Sequence, residues 1–248
     1  MAPVELSVTK NIATITLNSP EKLNALDLDG YFALGSMLRQ IAAMPEVSIT
    51  IITGTGRFFS AGADVTSTTT DASAPTTSSS ADETRRILIF ALNGPAVGLS
   101  AAIVAFGDFV YATPQTFVLT PFTSLGLVAE GGASYMFVRR MGIARANEAL
   151  ILSKRIQCEE LLQCGFVNKV FPRETFAKDV RDYIDDAFGP HLNHESMMQV
   201  KKLVREGWER ELEAANVREA VTGVERFIRG IPQAEFAKVA SGQKKHKL

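Results

Sequence analysis

Apolar and polar positions alternate with a period of two through VELSVTKNIATITL, the pattern of two strands folded about a turn at Lys10 and Asn11. A period near 3.6 then takes over in DGYFALGSMLRQIAAM. There Phe32, Leu34, Met37, Leu38 and Ile41 predict a helix that Pro45 ends. SITIITG is a β-branched run suited to a buried strand, punctuated by Gly54 and Gly56. RILIFALNG repeats that pattern. GLSAAIVAFGDFVYAT reads as a small-residue helix running into a third strand, and TFVLTPF as a fourth. GGASYMFVRRMG predicts a helix whose C-terminal end suits Arg139 and Arg140. Beyond Ile143 the pattern is helical: ARANEALIL, CEELLQCG, ETFAKDVRDYIDDAF and a charged C-terminal set, interrupted by the short strand FVNKVF. Strand, helix and strand in alternation imply a layered α/β fold.

Residues 66–80, TSTTTDASAPTTSSS, have no apolar periodicity, so burial cannot offset their ordering entropy and a mobile loop is expected. The chain divides into a core over residues 1–190 and a helical region over 191–248 expected to serve packing and oligomerisation. A chain of 248 residues can bury a substantial core without disulfides. Charge changes the picture by exclusion. The 26 Lys and Arg balance 27 Asp and Glu, which argues against nucleic acid and for a small-molecule partner. Cys158 and Cys164 stand without a His or Cys cluster, so neither a zinc site nor a disulfide framework is supported. No apolar run reaches the length of a membrane span.

The P-loop, zinc-protease and nucleophile-elbow motifs are absent, and IITGTGRFF lacks the third glycine of a dinucleotide loop, where Phe59 stands. Two strand-to-glycine junctions remain. In RFFSAGADV, Gly62 allows a sharp turn that leaves the Ala63 amide free. In NGPAVGLS, Gly98 does the same for Leu99 at a helix start. Either junction by itself is an ordinary turn. Two such amides converging would form an oxyanion hole. Glu130, in GLVAEGGASY, has two readings: a catalytic base in a dry pocket, or an acid that favours the positive end of the following helix.

RFFSAGAD, NGPAVGLSAAIVAFGDFVYA, PFTSLGLVAEGGASY and ILSKRIQCEELLQCGFVNKVF together resemble the enoyl-CoA hydratase/isomerase, or crotonase, superfamily over about residues 4–190. The resemblance implies a spiral of repeated ββα units with a C-terminal helical region, acting on acyl-CoA thioesters as a homotrimer or hexamer. It implies that the amides of Ala63 and Leu99 bind the thioester oxygen. It also implies that Ala25, in LNALD, and Ala61, Gly62, Asp64 and Gly98 lie against the CoA ligand. The two hydratase glutamates align with Ala102 and Phe122, so both are missing. LGLVAEGG instead resembles the motif of peroxisomal Δ3-Δ2-enoyl-CoA isomerases, in which this glutamate is the base. That implies a 3-enoyl-CoA to 2-trans-enoyl-CoA isomerase with no metal or redox cofactor, CoA arriving as part of the substrate; the alternatives are a 2-enoyl-CoA hydratase or dienoyl-CoA isomerase of the same fold, or a non-catalytic acyl-CoA-binding subunit. Leu125, Leu127 and Val128 are expected to desolvate the base. The terminal His246, Lys247 and Leu248 vary a peroxisomal address read by an import receptor. Between GAD and NGP the chain has about one helix less than the family pattern, in a region that ordinarily walls the acyl pocket.

Overall fold

The structure, a computed structural model, describes residues 3–64 and 86–244. The Ser/Thr-rich stretch 66–80 and the terminal tripeptide lie outside the described residues.

In chain order the elements are β1 (Val4–Thr9), β2 (Ile12–Leu17), α1 (Leu28–Ala42), β3 (Ile49–Gly54), β4 (Ile87–Leu92), β5 (Ala96–Val97), α2 (Leu99–Val104), β6 (Phe109–Ala112) and β7 (Phe117–Leu119). They continue with α3 (Ala133–Leu150), β8 (Ile156–Gln157), α4 (Cys158–Gln163), β9 (Lys169–Val170), α5 (Phe176–Ala187), α6 (His194–Glu206), α7 (Glu209–Ile228) and α8 (Ile231–Ala240).

The expected hairpin forms: β1 and β2 pair antiparallel from Val4 opposite Leu17 to Thr9 opposite Ile12, and Lys10 takes a left-handed φ of 56° in the turn. The remaining pairings of this sheet are parallel, in the order β1-β2-β3-β4-β6-β9. Helix α1 starts at Asp27, whose side chain accepts from the Gly30 amide at 2.9 Å, and it ends three residues before Pro45.

The central strands are apolar on both faces because both are covered. Ile49, Ile51, Ile87 and Ile89 pack with α5 residues Phe176, Val180 and Ile184 on one side. Ile52, Phe90 and Leu92 face the larger core with α1, α2 and α3. A second sheet, β5-β7-β8, joins that larger core through Ala96, Val118 and Ile156. Strands β5 and β8 have two residues each, too few to carry a detectable period. The two helices expected around GGASYMFVRRMG and ARANEALIL form one run, bent at Gly142 with φ 74° and ψ 161°.

The C-terminal helices dock on the core by charge as well as packing. Asp108, just before β6, takes the Lys201 ammonium at 2.6 Å and Arg205 at 2.7 Å, both from α6, and accepts from the Leu88 amide at 2.7 Å. Among the described residues, no helix is long and apolar enough to cross a membrane.

Candidate active site

The two glycine junctions meet. Ser60 and Ala96 form a parallel bridge, and the Val97 amide donates to the Ser60 carbonyl at 2.9 Å. Three residues further along each strand stand Ala63 and Leu99, at equivalent positions. Both strands break at a glycine with positive φ, 92° at Gly62 and 61° at Gly98, a conformation L side chains rarely adopt. The approach is close: a Cβ built on Gly62 would lie 3.6 Å from the Gly98 Cα and only 2.7 Å from the Val97 carbonyl oxygen. Gly98 caps α2, so the Leu99 amide belongs to the first helical turn, where no intrahelical acceptor exists. Among the described residues neither the Ala63 nor the Leu99 amide has an intramolecular acceptor. Both are available to an oxygen placed between them.

A polar chain fixes these turns. The buried Ser60 hydroxyl donates to the Asn24 carbonyl at 2.7 Å, lies 2.8 Å from the Ser100 hydroxyl, and accepts from the Gly62 amide at 3.1 Å. The Tyr31 hydroxyl from α1 reaches Ser100 at 3.4 Å, and burial pushes it up to about 12. LNALD runs alongside: the Leu26 amide donates to the Gly62 carbonyl and the Asp64 amide to the Leu26 carbonyl, both at 2.9 Å. Ala25, Ala61, Gly62, Asp64 and Gly98 therefore gather around the same turn. The Asp64 carboxylate also accepts from Lys22 at 3.1 Å. Tyr31, Ser60 and Ser100 carry no local motif, and sequence reasoning missed them.

Glu130 lies beside this turn. Its neighbour Gly131, at φ 64°, packs so closely that an added Cβ would fall 2.7 Å from Leu99 Cδ1 and 3.5 Å from the Ala102 Cβ. A methyl group at Ala102, fully buried, and the buried ring of Phe122 occupy the positions aligned with the hydratase glutamates. Burial first, and the charge of Glu219 second, push the Glu130 carboxyl up to about 7, the range of an effective general base at neutral pH.

The alternative reading, an acid serving the start of the next helix, is met by another residue. Helix α3 begins at Ala133, and its first amides are taken by Glu219 from α7: Gly132 N donates to Oε2 at 2.7 Å and Ser134 N to Oε1 at 2.8 Å. Glu130 contributes only its backbone carbonyl, which accepts from Ala133 N at 3.3 Å. Its side chain is thus not the cap. Sequence reasoning missed Glu219 as well. It sits 87 residues from Gly132 in a helix expected only to pack or oligomerise.

A cavity of about 630 Å³ lies elsewhere, at the opposite end of α2, between α3 and α6 and lined by Phe106, Met136, Val204 and Trp208. None of the candidate residues borders it. Among the described residues no group of three or more His, Cys, Asp or Glu side chains gathers as a metal site would require.

The profile of the enoyl-CoA hydratase/isomerase family matches residues 7–222. A Delta(3,5)-Delta(2,4)-dienoyl-CoA isomerase of Pyricularia oryzae is 49% identical, with 96% of each chain covered. A 3,2-trans-enoyl-CoA isomerase of Saccharomyces cerevisiae is 31% identical over 94% of this chain and 92% of its own. In three dimensions the chain superposes on an enoyl-CoA hydratase/isomerase from Pseudoalteromonas atlantica with a TM-score of 0.87 at 25% identity, covering 99% of this chain and all of that one.

Proposed function

The chain belongs to the enoyl-CoA hydratase/isomerase family and has its crotonase fold, and from that premise we propose that it isomerises 3-enoyl-CoA thioesters to 2-trans-enoyl-CoA. The observation that carries this reading is the Glu130 carboxyl, which the surrounding protein desolvates, beside the two free amides. With the thioester oxygen between the amides of Ala63 and Leu99, Glu130 takes a proton from C2. The electrons move into a dienolate whose charge rests on that oxygen. The protonated Glu130 then returns the proton to C4, and the double bond ends between C2 and C3. Each amide at such an oxyanion contributes about 3 kcal/mol to the barrier reduction. Water is not a reactant, so Ala102 and Phe122 cost the reaction nothing and leave hydration without its acid and base.

The Pyricularia oryzae relative favours a second reading, isomerisation of a 3,5-dienoyl-CoA to the 2,4-isomer. That reaction carries a proton from C2 to C6, across three intervening carbons rather than one. A single carboxyl serves C2 and C4, one carbon apart, more readily than such distant ones, because proton transfer needs hydrogen-bond reach at both ends. Purified protein mixed with 3-hexenoyl-CoA and, separately, with a 3,5-dienoyl-CoA distinguishes the two by the ultraviolet absorbance of the conjugated product. Turnover of the 3-enoyl substrate is expected to be the faster. Turnover of the dienoyl substrate alone would reverse the assignment.

No metal or redox cofactor enters this reaction. The proposal extends to assembly and location. Val217, Val221, Val224 and Ile228 form an exposed apolar stripe on α7, opposite the face that packs on the core. Such a stripe suits contact between copies, as in a homotrimer or hexamer; light scattering that returns a monomer mass would refute it. His246, Lys247 and Leu248 have the chemistry of a peroxisomal address read by the import receptor. A fluorescent protein extended by the last ten residues is expected in peroxisomes, and one lacking the final three in the cytosol.

A further inference from the structure

We propose that Glu219 is a positioning residue for Glu130: its carboxylate, presented by α7, binds two amides flanking the Glu130 loop and holds the base in place over the oxyanion turn. This inference rests on Glu130 being the base.

The loop needs an external hold. Gly126, Gly131 and Gly132 all have positive φ, and glycine segments lose the most conformational freedom on ordering. The C-terminal region supplies the hold from both ends. At the first end, Lys244 donates to the Ser124 carbonyl at 2.5 Å and Arg226 Nε to the Gly126 carbonyl at 3.0 Å. At the second, Leu212, Asn216 and Glu219, spaced to share one face of α7, close over Gly132. A Cβ on Gly132 would fall 2.9 Å from Leu212 Cδ1 and 3.2 Å from Asn216 Oδ1.

Glu219 is the charged member of that face, buried to 8% exposure, and each of its oxygens accepts one amide. Acceptance at both oxygens is the pattern an ionised carboxylate makes. A hydrogen bond to a charged group is about twice as strong as a neutral one. The same charge faces Glu130 and favours the protonated form of the base, in addition to burial.

The groups that face Glu130 are few. Among the described residues Tyr31 from α1 and Glu219 from α7 are the titratable ones, while α2 presents Leu99 and Ala102, which carry no charge. Glu219 thus acts on the base in two separable ways, by holding its loop and by its charge.

Glu219→Gln keeps the shape, removes the charge and leaves one acceptor for two amides. With 3-hexenoyl-CoA, the acid limb of kcat/KM is expected to move to lower pH by about half a unit or more, since a like charge is gone. The plateau kcat is expected to fall about ten-fold with KM nearly unchanged, because a misplaced base costs turnover and not binding. A simple helix cap would lower only the melting temperature. An unmoved acid limb with an unchanged kcat therefore overturns the inference.

Glu219→Asp gives an independent answer should the glutamine variant not fold. It keeps the charge with one methylene less reach, so the acid limb stays and kcat falls several-fold; wild-type kcat in this variant overturns the inference. Failure of the underlying reading looks different, since a Glu130→Gln enzyme that still turns over removes the base itself whatever Glu219 does.

Discussion

Glu130→Gln is expected to lower kcat on 3-hexenoyl-CoA by about 10³-fold or more, the upper part of what a positioned general base contributes, while KM changes little. Glutamine preserves size and hydrogen-bonding capacity but cannot take the C2 proton. Residual turnover comes from the amides of Ala63 and Leu99, which still bind the dienolate oxygen. The same variant should be more stable than wild type above neutral pH. A glutamate in the unfolded chain ionises near pH 4.3, whereas Glu130 in the folded chain ionises near 7. Between those values the folded state holds a proton that the unfolded state has released, so stability falls as pH rises through that window. Above it the full cost of ionising this desolvated carboxyl is present, at most about 4 kcal/mol. Removing the acid relieves that cost. Thermal unfolding at pH 5 and at pH 8 checks this: the gain of Glu130→Gln over wild type should be large at pH 8 and small at pH 5. A glutamine variant that keeps wild-type kcat would remove Glu130 from the mechanism.

Gly62→Ala is expected to cost about 10²–10³ in kcat/KM, the loss that follows removal of an oxyanion donor. The added methyl would sit 2.7 Å from the Val97 carbonyl oxygen, a backbone atom that cannot swing aside as a flexible side chain would. The backbone at φ 92° is also strained for any L side chain. The turn must open, and it carries the Ala63 amide away from Leu99. Together strain and displacement should lower stability by about 1–3 kcal/mol. Gly98→Ala is a useful contrast, because among the described residues its Cβ would meet only the Gly62 Cα at 3.9 Å. Its penalty is conformational alone, and its effect on kcat/KM should be the smaller of the two. Equal activity of Gly62→Ala and wild type would show that the Ala63 amide does not bind the reacting oxygen.

Glu219 ties the C-terminal helices to the loop that carries Glu130. They were expected to pack and to assemble subunits. Helix α7 has two distinct faces: Leu212, Asn216 and Glu219 close on the Glu130 loop, while Val217, Val221, Val224 and Ile228 remain exposed. Assembly that moved α7 would therefore also move the loop that holds Glu130.

The hairpin about Lys10, helix α1, the buried strands β3 and β4 and the two glycine junctions were legible in the sequence. Each depends on a period of two or 3.6, or on a glycine whose backbone freedom is a property of that residue alone. Glu130 was legible as a candidate for the same reason: an acid among glycines and apolar residues is a local anomaly. Its role was not. An acid before a helix fits a cap as well as a base, and that the cap is another residue shows only in Glu219 taking the amides of Gly132 and Ser134 from 85 to 87 residues away. The meeting of Gly62 with Gly98, the Tyr31–Ser100–Ser60 chain and the raised proton affinity of Glu130 were likewise decided by tertiary structure. Periodicity records which face of a segment is buried, but burial depth and partners are set by what packs there, and that information is spread over distant parts of the chain.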